Sequence, residues 1–304
     1  MNIFIELPTW LGDTIMATPA IEALLEKYPD ANLTFFGSYV SLQALKKHPN
    51  CENIVIDKSK KATSRLLWLY NQAKRFDRFD MAISFRSSFA SKLFLWFLDA
   101  KTKIQYNKDT FSGHQVQKYA KALHVEPQDL KLYQSPFVYN RPTLGINPGA
   151  TYGSAKRWYP KEFAKVANHF SKTYDIVIFG GPNEIDIAKE VEDLIETNTT
   201  NLAGKTDITK LIKKIAGLSL FITNDSGPMH IAAAYKVPTV AIFGPTKYDE
   251  TSQWHNPNSY ILSHDLECAP CMKRTCPLKT HACMKEIKAN EVINLLEHHL
   301  SLGK

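Results

Sequence analysis

Three short segments of the sequence combine glycines with carboxylates, cations and hydroxyls. Residues 8–14, 147–158 and 224–230 each follow an apolar run and precede a helix-period pattern. A loop between a strand and a helix directs backbone N–H groups and the positive end of the helix dipole at a ligand, which suits anions such as phosphates. A carboxylate in such a loop can instead accept a proton from a reacting group. The sequence therefore predicts sites for anion binding and for acid–base chemistry.

The first segment, residues 8–14, carries a candidate base. Gly12 permits a tight turn, and we expect Asp13 at or near the N-cap of the following helix. A capping carboxylate accepts hydrogen bonds from backbone N–H groups, whereas a catalytic one accepts a proton from a substrate. Both roles are open for Asp13 and they are compatible, although full engagement by backbone donors weakens a base.

The second segment, residues 147–158, offers a phosphate site. Its glycines let the backbone approach a ligand, while Thr151, Lys156 and Arg157 supply a hydroxyl and two cations for phosphate oxygens. The segment is not a Walker loop, because the G-x-x-x-x-G-K-[ST] pattern is absent. A polar surface loop is the alternative interpretation.

The third segment, residues 224–230, could hold a pyrophosphate at the start of its helix. His230 could donate to a phosphate oxygen there or have a structural role. Residues 180–184 repeat the strand–loop–helix arrangement, and Glu184 could bind ribose hydroxyls or simply compensate the helix dipole. Three such loops in one half of the chain indicate a nucleotide site in that half.

These loops require a scaffold of parallel strands and crossover helices. Apolar runs alternate with helix-period segments in both halves, which predicts an α/β fold of two Rossmann-like domains. The polar stretch 139–143 is the best linker, so we place the domains at residues 1–141 and 142–304. Two such domains facing each other leave a cleft, where open α/β sheets bind ligands. The predicted strands span residues 2–7, 33–36, 53–56, 81–85, 144–147, 175–179, 220–223 and 239–243, and the predicted helices span residues 14–27, 88–98, 161–171, 184–196, 208–216 and 229–235.

Charge is distributed unevenly over the 304 residues. The formal net charge is +7, and residues 58–103 contain eleven basic side chains against three acidic ones. Such a field attracts an acidic partner, for which nucleic acid, phosphorylated carbohydrate and an anionic membrane surface all qualify; a solvated basic face is the alternative.

No apolar run reaches the ~18–20 residues that cross a bilayer, and the first residues do not resemble a signal peptide, so we expect a cytoplasmic protein.

Four of the five cysteines lie close together in the sequence, at Cys268, Cys271, Cys276 and Cys283, with His281 nearby. Such a cluster can bind zinc, but its spacing departs from that of common structural zinc sites. Disulfides are disfavoured in a reducing compartment. Local packing is therefore the favoured interpretation, and a metal site is the alternative.

The chain resembles the bacterial lipopolysaccharide heptosyltransferases of glycosyltransferase family 9. The resemblance covers nearly the whole chain and rests on residues 7–19, 147–158, 224–230 and 243–246. The cysteine segment, residues 268–277, is similar to that of the members that add the second inner-core heptose. The resemblance implies a GT-B fold, ADP-L-glycero-D-manno-heptose as the donor, and an inverting transfer to lipid A bearing Kdo and heptose, with no metal or cofactor.

The resemblance also implies roles for individual residues. Asp13 would be the general base. The donor would be bound by Thr151, Lys156, Glu184, Asp225, Ser226, Gly227 and His230. From charge and position we add Arg65, Arg86 and Lys92 as contacts to the carboxylates and phosphates of the acceptor. The enzyme would then associate peripherally with the cytoplasmic face of the inner membrane and would not bind nucleic acid.

Two alternatives remain open from the sequence. A GT-B glycosyltransferase that uses another nucleotide sugar, such as a UDP-sugar, would share these loops. A basic nucleic-acid-binding protein with a metal module at residues 268–283 would account for the charge, although the sequence contains no recognised DNA- or RNA-binding motif.

Overall fold

The chain divides into two compact units in the computed structural model, which describes residues 1–302. The N-terminal unit comprises Met1–Gln134, and the C-terminal unit begins at Ser135. Each unit has a parallel sheet with interleaved helices. The predicted α/β fold with two Rossmann-like domains is therefore confirmed.

The predicted linker, residues 139–143, packs with the C-terminal unit. The Phe137 N–H donates to the Lys213 carbonyl over 2.8 Å, and the Tyr139 hydroxyl donates to the Lys214 carbonyl over 3.1 Å. Residues 137–139, which precede the first strand of the C-terminal unit, are thus anchored on a helix of that unit. The boundary between the two compact units therefore lies after Gln134, before the predicted boundary at residue 141.

The N-terminal unit contains a five-stranded parallel sheet in the order β3-β2-β1-β4-β5. Its central strands are buried on both faces, as expected for a parallel sheet covered by helices. Its elements are β1 (Asn2–Glu6), α1 (Leu11–Lys27), β2 (Asn32–Gly37), α2 (Tyr39–Leu45), β3 (Cys51–Ile56), α3 (Arg65–Ala73), β4 (Phe79–Ser84), α4 (Phe89–Phe97), β5 (Ala100–Gln105) and α5 (Gln115–Ala122).

The C-terminal unit contains a six-stranded parallel sheet in the order β11-β10-β9-β6-β7-β8. Its elements are β6 (Thr143–Asn147), α6 (Pro160–Phe170), β7 (Asp175–Ile178), α7 (Ile185–Asp193), β8 (Thr199–Asn201), α8 (Ile208–Ala216), β9 (Leu220–Asn224), α9 (Gly227–Ala234), β10 (Thr239–Ile242), α10 (Tyr248–Thr251), β11 (Ser259–Leu262), α11 (Ala282–Lys285) and α12 (Ala289–Leu302). Among the described helices of both units, none has the length and apolar character to cross a membrane.

Several helices begin where the sequence supplies a suitable first residue. Ser38, Ser64 and Ser88 precede α2, α3 and α4, and each hydroxyl accepts a hydrogen bond from a backbone N–H in the first turn. Asp207 caps α8 in the same way. Pro160 occupies the first position of α6, where a missing N–H costs nothing.

Helix α1 begins earlier than the sequence predicts. Its N-cap is Trp10, so Asp13 is the third residue of the helix and not its cap. The Thr14 hydroxyl donates to the Trp10 carbonyl over 2.9 Å and so ties the first turn together. The positive end of the helix dipole stabilises a carboxylate in the first turn. Asp13 therefore lies in the first turn of the helix that follows β1, and Trp10 is the N-cap.

A buried ion cluster lies at the carboxyl ends of three strands of the N-terminal sheet. Arg86 approaches Asp57 at 2.8 Å and Glu6 at 3.3 Å, and its side chain is only 10% exposed. Burial raises the pKa of Glu6 although the Arg86 charge opposes it. Burial also favours a higher pKa for Asp57, but hydrogen bonds from Ser59 and Arg86 outweigh it and keep that pKa below its usual value.

We predict that Arg86→Ala destabilises the protein by about 3–5 kcal/mol, because it leaves Glu6 and Asp57 buried without a counter-ion. Denaturant-induced unfolding measures the loss. The control is Arg78→Ala, since Arg78 pairs with Asp99 at 3.8 Å on an exposed surface, and we expect it to change stability by less than about 1 kcal/mol. Equal effects of both substitutions would contradict the role of the cluster.

Candidate functional site

Four loops of the C-terminal unit meet at one edge of its sheet. They follow β10, β9, β6 and β7, which are neighbours in that order. The strand ends are level, since Ile242 pairs with Asn224 and Asn147 pairs with Thr223. The carboxyl edge of an open α/β sheet is where such folds bind ligands. The two segments 147–158 and 224–230, which the sequence singled out, are therefore brought together.

The buried side chain of Asn224 joins these two segments. Its amide donates to the Pro148 carbonyl over 2.8 Å and to the Gly149 carbonyl over 3.3 Å. Its oxygen accepts from the Trp158 N–H over 3.0 Å. Trp158 is itself fixed, because its indole N–H donates to the Ile287 carbonyl. The loop thus begins and ends on one side chain of β9.

Lys156 forms the central charged contact of the site. Its ammonium lies 2.5 Å from Asp225 Oδ2, and the Thr246 hydroxyl donates to the same oxygen over 2.6 Å. The side chains of Lys156 and Asp225 are 12% and 5% exposed. Asp225 and Thr246 therefore hold the lysine in one orientation at the sheet edge, where its N–H groups can bind the oxygens of an anion.

Helix α9 begins directly beside this ion pair. Its N-cap is Ser226, whose hydroxyl bonds to Thr223 and Asn147 and does not cap the helix. Gly227 is the first helical residue, and His230 is buried one turn further on. Pro228 has no N–H, and the Met229 N–H donates to the Ser226 carbonyl over 3.1 Å. The start of α9 therefore offers an anion the Gly227 N–H and the positive end of the helix dipole. The helix start and Lys156 together provide positive potential for phosphate groups.

Glu184 lies between the loops that follow β6 and β7. Its carboxylate accepts from the Gly181 N–H over 2.7 Å and from the Thr151 hydroxyl over 3.4 Å. It also packs against Gly149, where a Cβ would lie 2.2 Å from its carboxyl carbon. The structure therefore brings Thr151 and Glu184 together, and Glu184 shapes both loops.

The cysteine segment, residues 268–283, braces the loop that carries Lys156. The Arg274 carbonyl accepts from the Ala155 N–H over 3.0 Å, and the Tyr152 hydroxyl donates to the Met272 carbonyl over 2.8 Å. His281 bonds to the Ala155 carbonyl over 2.9 Å. These contacts agree with the interpretation of local packing.

The cysteines of this segment are free thiols in different environments. Burial raises the pKa of Cys283 to about 11. The hydrogen bond from the His281 N–H, with others from nearby backbone groups, lowers the pKa of Cys276. Among the described residues, no group of three or more His, Cys, Asp or Glu side chains is arranged to hold a metal ion.

Three residues that the sequence did not assign belong to this site. The Thr246 hydroxyl donates to Asp225. Tyr152 and Arg274 form a cation–π pair in which the guanidinium carbon lies 5.3 Å from the ring centre. The Lys156 ammonium lies 4.7 Å from the same ring. Thr246 lies in residues 243–246, one of the segments that carry the family resemblance, so the sequence could have identified it. Arg274 is far from Tyr152 in the sequence, so only the fold shows their contact.

In the N-terminal unit, Asp13 lies half-buried in the first turn of α1, near Tyr119 of α5. Burial raises the pKa of Tyr119 well above its usual value, and the negative charge of Asp13 raises it further. This phenol therefore stays neutral. The Tyr119 ring packs on Tyr106 and Phe85. Asp13 therefore lies near a cluster of packed aromatic rings.

The three cations predicted to contact an acceptor have different environments. Arg65 and Lys92 are exposed on α3 and α4. Arg86 is occupied by Asp57, Glu6 and the Leu7 carbonyl within the sheet. Arg86 is thus paired within the sheet, whereas Arg65 and Lys92 are exposed; contact of these three cations with an acceptor stays a prediction.

Comparisons with known proteins agree with this geometry. The model of glycosyltransferase family 9 (heptosyltransferase) matches residues 126–282. Lipooligosaccharide heptosyltransferase 2 of Campylobacter jejuni (serotype O:2) is 43% identical over 98% of this chain and 99% of its own. The protein of that name from Haemophilus influenzae is 28% identical over 81% of this chain and 84% of its own. The structure of the Escherichia coli ADP-heptose lipopolysaccharide heptosyltransferase II superposes with a TM-score of 0.81 at 22% identity, over 100% of this chain and 99% of that one.

Two parallel-sheet units with polar loops at the strand ends have the α/β fold of GT-B proteins, with two Rossmann-like domains. The chain belongs to glycosyltransferase family 9 and is a heptosyltransferase of lipopolysaccharide or lipooligosaccharide biosynthesis. The resemblance seen in the sequence is thereby confirmed.

We predict that Gly153→Ala lowers the free energy of unfolding by about 1–3 kcal/mol. A Cβ at this position would lie 2.2 Å from the Arg274 carbonyl oxygen, and a backbone atom cannot rotate away. Denaturant-induced unfolding measures the change. Gly181→Ala is the control, because its Cβ would lie 3.5 Å from the Glu184 carboxylate, an ordinary contact. If both variants were as stable as the parent, the brace would not constrain the loop.

Proposed function

We propose that the protein transfers L-glycero-D-manno-heptose from ADP-heptose to the inner-core oligosaccharide of lipopolysaccharide, and that it adds the second heptose. The observation that carries the donor assignment is the Lys156–Asp225–Thr246 contact at the start of α9. It offers a positioned cation beside the Gly227 N–H and the positive end of the α9 dipole, where a diphosphate fits. The similarity to heptosyltransferases 2 of two genera supports the sugar and its position.

In the proposed mechanism the diphosphate is the leaving group. The bond between the anomeric carbon and the phosphate oxygen breaks, and the negative charge on ADP increases in the transition state. Lys156, the Gly227 N–H and the α9 dipole stabilise this added charge more strongly than they stabilise the bound donor, which lowers the barrier. They supply the positive charge that a metal ion supplies elsewhere, which supports a metal-independent transfer.

Asp13 is the proposed general base. It takes the proton of the acceptor hydroxyl while that oxygen bonds to the anomeric carbon on the face opposite the leaving diphosphate, so the configuration inverts. Its place in the first turn of α1 supports this role, because the carboxylate is half-buried and does not act as the N-cap. Thr151 and Glu184, with Ser226, Gly227 and His230, complete the proposed donor pocket.

The proposed acceptor is lipid A that carries Kdo and heptose. Its carboxylates and phosphates would be bound by Arg65 and Lys92, which are exposed on the basic N-terminal unit. An acceptor embedded in the inner membrane places the enzyme in the cytoplasm as a peripheral protein. Incubation with ADP-heptose and defined truncated core acceptors tests the proposal directly, and loss of activity when ADP-heptose is replaced by a UDP-sugar tests the donor.

We predict that Asp13→Asn retains ADP binding and loses roughly 10²–10⁴-fold in the transfer rate, since an amide cannot accept the proton. Steady-state transfer and ADP-induced thermal shift measure the two effects. The control is Asp30→Asn, which removes the same charge from an exposed position of the same unit. Unchanged turnover in Asp13→Asn would remove this residue from the mechanism.

We predict that Lys156→Ala weakens ADP binding by about 10- to 100-fold, the range expected for loss of a charge-assisted hydrogen bond. Calorimetric titration with ADP measures it, and thermal unfolding without ADP shows whether the variant remains folded. Lys165→Ala removes a charge from an exposed position of α6 and is expected to bind ADP normally. Equal affinities of the Lys156 and Lys165 variants would contradict the phosphate role.

A further inference from the structure

Helices α3 and α4 present large apolar side chains to solvent. Leu66, Leu67 and Tyr70 of α3 are 44%, 59% and 42% exposed, and Phe89 and Trp96 of α4 are 70% and 71% exposed. We call these five residues the α3–α4 apolar patch. Large exposed apolar side chains are individually common, but a cluster of them on adjacent elements marks an interaction surface.

The patch is separate from the residues that these helices contribute to the core. Leu69 and Ala73 of α3 are buried, as are Phe94 and Leu95 of α4. Phe89 and Trp96 are seven positions apart in one helix, with the exposed Lys92 between them, so all three lie on the same outward face. The outward apolar residues are therefore not needed to attach the helices to the sheet.

The two helices form one continuous surface. The Tyr70 ring packs edge-on against Phe97 at 5.3 Å, and Phe97 in turn packs against Trp96 at 5.4 Å. Beneath them, Phe36 of the sheet contacts both Trp68 and Phe94. The Lys103 ammonium donates to the Trp96 carbonyl over 2.8 Å. The exposed rings and leucines thus project from a platform of two helices packed on the sheet.

Basic side chains surround the patch. Arg65 and Lys92 lie on the same helices, Lys74 lies 5.7 Å from the centre of the Tyr70 ring, and Lys103 reaches the end of α4. Over residues 58–103 the eleven basic residues exceed the three acidic ones, and two of those acids, Asp80 and Asp99, pair with Lys101 and Arg78. The platform therefore combines exposed aromatic and leucine side chains with excess positive charge.

We propose that the α3–α4 apolar patch binds the surface of an anionic phospholipid bilayer. Tryptophan, phenylalanine and leucine insert at the boundary between headgroups and acyl chains, tyrosine places its hydroxyl at headgroup level, and lysine and arginine bind the lipid phosphates. Binding to the bilayer would bring the N-terminal unit to a lipid-linked acceptor, and only this purpose rests on the proposed function. The charge excess favours anionic lipid over a neutral protein partner or a second copy of this basic chain.

The test is sedimentation of the full-length protein with vesicles that contain no acceptor. We expect the protein to bind vesicles of phosphatidylethanolamine and phosphatidylglycerol, to bind phosphatidylcholine vesicles at least tenfold more weakly, and to be released by high salt. The double variant Phe89→Ser with Trp96→Ser should lose at least tenfold in binding to anionic vesicles. The matched control is Val138→Ser with Leu278→Ser, which removes two exposed apolar side chains from the C-terminal unit and should bind like the parent.

Other results would overturn the inference. If the parent and the double variant bound anionic vesicles equally, or if neither bound them, the patch would be excluded as a membrane-binding surface. Self-association of the parent that is lost in the double variant, without vesicle binding, would assign the patch to a second copy of the chain.

A transfer assay separates this inference from the proposed function. The double variant should keep its rate with a deacylated, water-soluble acceptor and lose rate with the same acceptor in vesicles. A parent protein that binds anionic vesicles but transfers heptose to neither acceptor would refute the proposed function and leave the inference standing. Equal rates of parent and double variant on the vesicle-bound acceptor would contradict the purpose assigned to the patch.

Discussion

The shape of the site depends on one buried amide, that of Asn224. Its three hydrogen bonds, to Pro148, Gly149 and Trp158, close a loop of the chain onto the end of β9. Each of these backbone groups is buried or nearly so, and a buried polar group without a partner is costly. The position of Lys156 follows from this closure, because the lysine lies between the two anchored ends of the loop.

The same loop is held on its other side by the cysteine segment. Contacts from Arg274 and His281 fix the backbone at Ala155, next to the lysine. A cation that is fixed in advance needs no reorganisation when charge develops on a leaving group, which makes its electrostatic contribution larger. On the proposed mechanism, the cysteine segment therefore supports catalysis through its backbone contacts to the lysine loop, without its thiols reacting or binding a ligand.

The sequence predicted the central strands of both sheets, because buried parallel strands are continuous apolar runs between polar loops. It did not predict β5, an edge strand whose outward Lys101 and Lys103 interrupt the apolar pattern, or the three-residue β8. It singled out the strand-end loops that the structure brings to one edge of the C-terminal sheet, where we propose the donor site. It placed Asp13 at or near the N-cap of α1, whereas the helix begins earlier and Asp13 is its third residue. It could not show that Arg86 is internally paired, because that depends on long-range contacts.

The ion pair between Lys156 and Asp225 bears on the release of product. The protein contains its own counter-ion for the lysine, only 5% exposed at the edge of the sheet. On the proposed mechanism, the Lys156 ammonium remains paired with the Asp225 carboxylate after the nucleotide leaves. Release therefore does not leave the lysine charge buried without a counter-ion. On that mechanism, Asp225 competes with the spent nucleotide for the lysine.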